Sequence, residues 1–197
     1  MHPQVLDPTN TNWLFSGDPA GEYLGWVFYR NSEWTIPIGL IPKYGVGLNT
    51  ALVYPDSIPI MAYLFKILSP IIPEKFQYFG YWYLIIFILQ SFFGWKLSKS
   101  IIENNTLGSI FITLLFIFSP AMLAIVGMWP SEAAHFLFLF TIFLILNKNQ
   151  NYPTKLWTLL LVLSVSICFY IFVTVGAIWL ANLLDRFLVQ KNINTNR

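Results

Sequence analysis

The chain changes character near residue 76, from a mixed polar and aromatic pattern to an almost continuously apolar one. Residues 13–59 combine charges, glycines and prolines with closely spaced aromatic side chains. A disordered arm would be poor in aromatics, and a membrane-spanning helix would tolerate few charges or helix breakers. The pattern therefore predicts an ordered loop region, residues 1–75, lying against a membrane surface, followed by a transmembrane helical region, residues 76–197.

Two short helices are predicted inside the loop region. Asp18 followed by Pro19 is typical of a helix start, and aromatic and apolar residues then recur at helical spacing over about residues 19–30. Asp56 precedes a second apolar run, about residues 57–68, which is too short for a hydrocarbon core that needs about 20 residues. We expect both helices to lie in the membrane interface.

The remainder of the loop region is predicted to be irregular. Residues 1–12 are polar and rich in turn formers, and we assign them no regular structure. Residues 31–55 carry prolines and glycines that interrupt any long element. This segment should therefore be loop, with at most short strand-like pieces.

Four apolar runs are predicted to span the membrane: about residues 76–97, 106–126, 131–147 and 156–187. The last run would reach about 48 Å as a helix rising about 1.5 Å per residue. That length is too great for one upright membrane crossing and barely sufficient for two crossings. We expect a broken pair of short helices that bends near residues 166–170; a single tilted helix is the alternative.

Charge predicts the orientation of these spans. Lysines follow the first and third spans, whereas the connection over residues 119–132 has no Lys or Arg. The positive-inside rule then places residues 96–105 and 147–155 in the cytoplasm and residues 1–75 outside it. The expected location is the inner (plasma) membrane, with several crossings. Because nothing upstream would export residues 1–75, we expect a fragment that lacks the first transmembrane helix and the C-terminal part.

Composition supports a membrane protein and excludes other classes. The chain is 56% hydrophobic and 10% charged, whereas charged residues make up about a quarter of an ordinary soluble domain. A net charge of +2 without a Lys/Arg run argues against a nucleic-acid partner. Cys168 is the sole cysteine, so no intramolecular disulfide can form.

Three segments of the loop region carry a family resemblance: SGDPAGEYLGWVFYR (16–30), GLIPKYG (39–45) and VYPDSIPIMAYLFK (53–66). They resemble the GT-C superfamily of membrane glycosyltransferases, and most of all an uncharacterised bacterial family of GT-C-like proteins. In that superfamily the second external connection, here GMWPSEAAHFLFL (127–139), often carries groups that meet the lipid-phosphate donor. The resemblance implies an all-α, polytopic GT-C-like bundle with a large extracytoplasmic first loop. It also implies a polyprenyl-phosphate-linked sugar donor, a glycan, lipid or protein acceptor, and Asp18 as general base.

Two aspartates are the central candidates for this chemistry. A lipid phosphate is already a good leaving group, so one carboxylate that deprotonates the acceptor hydroxyl would suffice, with cations steadying the phosphate. Asp18 is the candidate base, and a plain helix N-cap is its alternative. For Asp56 the N-cap is the preferred interpretation, and a second acid at the acceptor or a metal ligand is the alternative.

Three further residues of the loop region are candidates for substrate binding. Arg30 and Lys43 are the cations of the loop proper, and either could contact phosphate. A solvated or snorkelling side chain is the alternative for both. Glu22 lies one helical turn after Asp18 and could share its site, although support of the helix dipole would also explain it.

Glu132 and His135 complete the candidate set at the start of the third span. Their spacing predicts one helix face at a membrane boundary, where ionisable residues are functional candidates. Interfacial anchoring is the alternative. A divalent metal is possible at such a pair, but two ligands on one helix are weak evidence for it.

The sequence leaves two classes of function open. The first is a membrane glycosyltransferase (a hexosyltransferase) whose partners are the lipid-linked donor, the acceptor and membrane lipids. The second is a non-catalytic polytopic subunit, or an inactive fragment, of a cell-envelope glycan assembly system. A transporter is disfavoured because the spans carry almost no ionisable residues and no internal repeat.

Overall fold

The structure, a computed structural model, describes residues 3–42, 44, 49–146 and 153–195. Within these residues the protein is mostly helical, and its strand content is one two-residue pair. The helices are α1 (Asp18–Asn31), α2 (Pro59–Ile67), α3 (Phe79–Ile101), α4 (Thr106–Ile117), α5 (Pro120–Ile125), α6 (Phe136–Leu146), α7 (Thr154–Ile167) and α8 (Phe169–Thr195). The strands are β1 (Leu40–Ile41) and β2 (Thr50–Ala51), which pair antiparallel.

The two short helices of the loop region form as predicted. They pack against each other. In the described part of the intervening loop, the strand content is limited to the two-residue strands β1 and β2, as predicted. Lys66 of α2 closes the end of α1: its Nζ donates to the backbone carbonyls of Tyr29 (2.8 Å) and Ser32 (2.9 Å). The ammonium group also lies 4.0 Å from the centroid of the Tyr29 ring. Lys66 is 5% exposed and joins the two helices through carbonyls at the C-terminal end of α1.

The N-terminal segment is ordered, so the prediction of no regular structure for residues 1–12 is wrong where the structure describes them. Pro3–Leu6 and Asn12–Leu14 form 3-10 turns. Gln77, just before α3, holds the segment by donating from Nε2 to the carbonyls of Val5 and Asp7, each at 2.9 Å. Gly80 permits this contact, because a Cβ there would lie 2.1 Å from the Val5 carbonyl oxygen.

Among the described residues, three helical stretches are long and apolar enough to cross a membrane: Phe79–Ile101, Thr106–Ile125 and Phe169–Leu188. The protein is therefore a helical membrane protein. α3 lies centrally and packs against both α4 and α6. Pro120 starts α5 after a break that follows α4, because Ser119 adopts an extended conformation and caps the new helix.

The structure bears on the predictions for the third and the last apolar run. The third apolar run becomes helical at Phe136, so a helix beginning at residue 131 is wrong; residues 130–135 form turns instead. The break in the last run is confirmed, because Cys168 is extended (φ −151°, ψ 131°) between α7 and α8. The second helix is not short as predicted, since α8 extends over 27 residues to Thr195. The two helices fold back on each other, with Gly176 against Leu161, which excludes a single tilted helix.

Candidate functional site

A cavity of about 460 Å3 opens where the loop region meets the helical region. Its walls come from the start of α1, the turn after β2, the connection between α5 and α6, and the start of α8. The residues that line it are Asp18, Gly21, Glu22, Tyr54, Pro55, Asp56, Trp129, Glu132 and Tyr170. Four of them carry carboxylates and three carry aromatic rings, and the volume is in the range of small-molecule sites, roughly 300–1,000 Å3. We refer to this space as the acidic cavity.

Asp18 is the first residue of α1, and the interpretation as a helix N-cap is wrong. Gly17 occupies the cap position with φ 71°, and no side chain makes a capping hydrogen bond there. The Asp18 carboxylate instead accepts a hydrogen bond from Nε1 of Trp129, with 2.5 Å between Nε1 and Oδ2. The side chain is exposed, so a ligand in the acidic cavity can reach it.

Trp129 is a site residue that the sequence analysis missed. It lies in the turn after α5, and the same turn is tied to α3 because Trp82 Nε1 donates to the Pro130 carbonyl at 2.7 Å. The indole thereby orients a carboxylate 111 residues away in the chain. The available signal was an indole within a connection that has no Lys or Arg, which indicates an interface residue as readily as a site residue.

Glu22 is buried beside Asp18, with 4% of its side chain exposed. Burial raises the pKa of its carboxyl well above the usual value, and the negative charges of Asp56, Glu132 and Asp18 act in the same direction. A backbone hydrogen bond from Ser131 opposes the shift. Its Oε2 has no hydrogen-bond partner. Glu22 therefore does not stabilise the dipole of α1, because a buried carboxyl that favours its protonated form carries little negative charge.

Asp56 lies in the turn before α2 and does not cap that helix, so the preferred interpretation from sequence is wrong. α2 begins at Pro59, and its cap position is Ile58, whose backbone is left-handed. Asp56 itself has φ 51° and turns its side chain into the acidic cavity. Burial, and then the charge of Glu132, raises the pKa of Asp56 to about 6. Its carboxyl therefore titrates near neutrality.

The turn that carries Asp56 is held by two hydroxyl groups, one bonded to α1 and one from the residue before α3. Ser57 Oγ donates to the Glu22 carbonyl at 2.6 Å, and the Tyr78 hydroxyl donates to the Ser57 carbonyl. Gly25 makes the approach possible, because a Cβ there would lie 2.2 Å from Ser57 Oγ and 2.5 Å from Pro55 Cγ. Close contact of the Ser57 and Pro55 side chains with the backbone of α1 thus fixes the distance between the two acidic segments.

Glu132 lines the acidic cavity, whereas His135 does not. The prediction that both share one helix face is wrong, because α6 starts only at Phe136 and both residues lie in the preceding turns. The imidazole of His135 packs on Phe138, with 5.7 Å between ring centroids. Within the described residues, no three His, Cys, Asp or Glu side chains are grouped closely enough to hold a metal ion.

Arg30 is committed to backbone carbonyls rather than to the acidic cavity. Its guanidinium donates to the carbonyls of Pro73 and Glu74 at 2.8 Å, and to those of Ile72 and Ser69 at longer distances. It therefore fastens the end of α1 to the segment before α3. The other predicted cation, Lys43, lies outside the residues that the structure describes.

A second cavity, of about 480 Å3 and mainly apolar, lies between the N-terminal segment, α3 and α5. Its lining residues are Val5, Trp13, Tyr83, Phe87, Phe118, Leu123, Val126 and Gly127. Two of them carry buried polar atoms without a partner, Nε1 of Trp13 and the hydroxyl of Tyr83. Unsatisfied donors in a buried wall are uncommon and call for a ligand or water to accept from them. We refer to this space as the apolar groove.

A family model matches the whole chain, residues 1–197, under the description Domain of unknown function (DUF6311). The chain belongs to this family. No curated protein and no solved structure matches it. Because the family match runs through the loop region and the helical region alike, the acidic cavity between them lies within one family unit.

Proposed function

We propose that this DUF6311 protein is a membrane glycosyltransferase of the GT-C type. It transfers a sugar from a polyprenyl-phosphate carrier to a glycan, lipid or protein acceptor on the outer face of the plasma membrane. The observation that carries the proposal is the carboxylate of Asp18, which is exposed in a cavity, positioned by Trp129, and located where a large first loop meets apolar helices.

The proposed reaction is a single displacement. Asp18 accepts the proton of the acceptor hydroxyl while that oxygen forms a bond to the anomeric carbon of the sugar. The bond from this carbon to the phosphate oxygen breaks at the same time, and the lipid phosphate leaves with the electron pair. The hydrogen bond from Trp129 holds one carboxylate oxygen and leaves the other for the incoming hydroxyl. Attack opposite the leaving group inverts the anomeric centre.

The apolar groove supports the lipid half of the proposal. Its apolar lining suits an isoprenoid chain, and it opens along α3 and α5, which belong to helical stretches long enough to cross a membrane. The unpartnered Trp13 indole and Tyr83 hydroxyl would donate to the phosphate oxygens at the end of that chain.

The decisive experiment is Asp18→Asn in the complete protein, assayed for sugar transfer from a radiolabelled polyprenyl-phosphate sugar. We expect transfer to fall by roughly 100- to 10,000-fold, as for loss of a general base. Glu103→Gln is the matched control, since Glu103 is an exposed acid in the connection between α3 and α4. Full transfer by Asp18→Asn at normal membrane levels would remove Asp18 from the mechanism.

The proposed orientation has its own test. Phe15→Cys, in a Cys168→Ala background, places one thiol next to Asp18, because Phe15 is 58% exposed. A membrane-impermeant maleimide should label it from the outer side of intact cells. Labelling only after the cytoplasm is opened would contradict an outer-face transferase.

One observation favours the alternative of a non-catalytic subunit. Among the described residues, no lysine or arginine lines the acidic cavity, and Arg30 is occupied by carbonyls. A transferase of this kind would then need cations from elsewhere to steady the phosphate. Sugar transfer by the purified chain alone would exclude the subunit role; transfer that appears only with a co-purified partner would support it.

A further inference from the structure

The acidic cavity has a charge that suits a cation and repels an anion. Asp18, Glu22, Asp56 and Glu132 all line it, and the lining among the described residues contains no Lys or Arg. Two like charges at about 4 Å repel each other by roughly 1 kcal/mol even in bulk water, and by more near a protein surface. A phosphate would therefore be disfavoured here, whatever the apolar groove accepts.

The buried Glu22 carboxyl supplies a second and independent observation. It is 4% exposed, it lines the acidic cavity, and its Oε2 has no hydrogen-bond partner. A buried carboxyl oxygen without a donor is costly unless something donates to it. A ligand that brings N–H groups to this wall would satisfy it, and an ammonium group carries three such donors. The positive charge of that group would also favour the ionised form of the Glu22 carboxyl, which burial disfavours in the empty cavity.

The spacing of the acids argues against a metal ion as that ligand. Calcium and magnesium need oxygen ligands at about 2.0–2.6 Å, converging on one point. No three acidic, His or Cys side chains among the described residues are grouped closely enough for this. The acids instead surround a volume of about 460 Å3, which an organic cation can fill.

Aromatic rings complete the walls of the acidic cavity. Tyr54 is 82% exposed, Tyr170 is 63% exposed, and Trp129 contributes the indole that binds Asp18. Such rings attract organic cations through their faces, and they stack on sugar rings or cover the carbon atoms beside an amine. Large aromatic side chains left open beside a group of carboxylates are more favourable for an ammonium ligand than for a hydrated ion.

We propose that the acidic cavity recognises a primary ammonium group, so that the acceptor is an amine-bearing molecule, either an amino sugar or an aminolipid headgroup. In this arrangement Glu22, Asp56 and Glu132 bind the ammonium group, and a hydroxyl of the same molecule reaches Asp18. The identity of the ligand as an acceptor rests on the proposed glycosyltransferase function. The recognition of the ammonium group rests on the cavity alone.

The test is ligand binding by the full chain in lipid nanodiscs, measured by calorimetry at neutral pH, above the pKa of about 6 of Asp56. The probes are two matched pairs: glucosamine with N-acetylglucosamine, and short-chain phosphatidylethanolamine with short-chain phosphatidylglycerol. We expect the amine of at least one pair to bind about tenfold more tightly than its amine-free counterpart, as for one charged hydrogen bond. The pair that discriminates identifies the source of the ammonium group.

Two variants place that binding in the acidic cavity. Glu132→Gln should weaken the amine probe by about tenfold, whereas Glu103→Gln, outside the cavity, should leave it unchanged. Tyr170→Leu should weaken it by about 2- to 5-fold through loss of a cation–π face, and its exposed position makes a folding defect a poor explanation for such a loss.

The outcomes separate this inference from the proposed function. Equal binding of amine and amine-free probes, or Mg²⁺ occupying the same Glu132-dependent site, overturns the inference. Sugar transfer to an amine-free acceptor, with no preference for an amine-bearing one, also overturns the inference. That result would still support the proposed glycosyltransferase function. Specific amine binding without any sugar transfer supports the inference and contradicts the proposed function.

Discussion

Polar side chains play opposite roles in the loop region and in the helical region. In the loop region they join distant segments: Lys66 reaches carbonyls near the end of α1, and Gln77 reaches Val5 across 72 positions. In the helical region they bond within their own helix: Thr141 and Ser164 each donate to the carbonyl four residues before them. Polar contacts between distant segments are common in the loop region. They are few in the helical region, where Trp82 to the Pro130 carbonyl and Gln90 to the Phe116 carbonyl are examples.

The difference follows from the two solvents. In a hydrocarbon core a hydroxyl without a partner is costly, and the nearest carbonyl of the same helix satisfies it at little conformational cost. Helix association then depends on packing, as between α3 and α6, where Phe93 stacks on Phe140. The loop region has backbone groups that no regular element satisfies, so side chains must reach them. Polar contacts of the loop region therefore place Glu22 and Asp56 in the acidic cavity, while Trp129 of the helical region orients Asp18.

Lys66→Met is the strongest test of the role that polar contacts play in the loop region. The change removes the ammonium group that binds the Tyr29 and Ser32 carbonyls while keeping most of the side-chain volume. We expect a loss of about 2–3 kcal/mol in the free energy of unfolding, because hydrogen bonds from charged groups are the strong ones. Thermal unfolding in detergent measures it, with the exposed Lys75→Met as control. Equal effects of the two variants would contradict a bridging role.

Two glycines of α1 give a matched pair with opposite expected signs. Gly25→Ala forces a Cβ into Ser57 and Pro55 and should cost about 1–3 kcal/mol by overpacking. Gly21→Ala meets no atom within 4 Å and should gain about 0.5–1 kcal/mol in helix propensity. Thermal unfolding of both variants checks the signs. A neutral Gly25→Ala would mean that α1 and the Asp56 turn are less tightly joined than the structure has them.

Two fully buried serines compare the regions directly. Ser57→Ala removes a hydrogen bond that joins residues 35 positions apart, and should cost about 1 kcal/mol. Ser164→Ala removes a hydrogen bond within α7 and should change stability by less than about 0.5 kcal/mol. A larger effect at Ser164 than at Ser57 would reverse the comparison. Both values come from the same unfolding assay.

The smallest expected effect is a pH dependence from Asp56. Its folded pKa of about 6 lies above the unfolded value of about 3.9, so the folded state binds more protons between them. Stability should therefore fall as pH rises from about 4 to about 6, and Asp56→Asn should remove that part of the fall. The change should stay below about 1 kcal/mol because the side chain is only half-buried. Unfolding temperatures across this range check it, with Glu103→Gln expected to keep the wild-type slope.

Features that depend on neighbouring residues could be predicted from the sequence. The apolar runs predict a helical membrane protein, and the start of α1 and the break at Cys168 lie where the local pattern places them. The rule that an Asp before an apolar helix caps it was wrong at both helix starts, because a residue with positive φ takes the cap position instead. Gly17 and Ile58 take the cap positions with positive φ, which releases Asp18 and Asp56 from capping and directs both into the acidic cavity.

Only the tertiary structure decided which distant groups meet. Nothing near Asp18 in the sequence indicates Trp129 as its partner, and nothing near Lys66 indicates the carbonyls at the end of α1. A hydrogen bond across many residues depends on how every intervening element packs, whereas helix formation depends on a few adjacent side chains. The sequence alone therefore determined a membrane protein with an acidic, aromatic loop, and the packing of that loop determined which of its acids share one cavity.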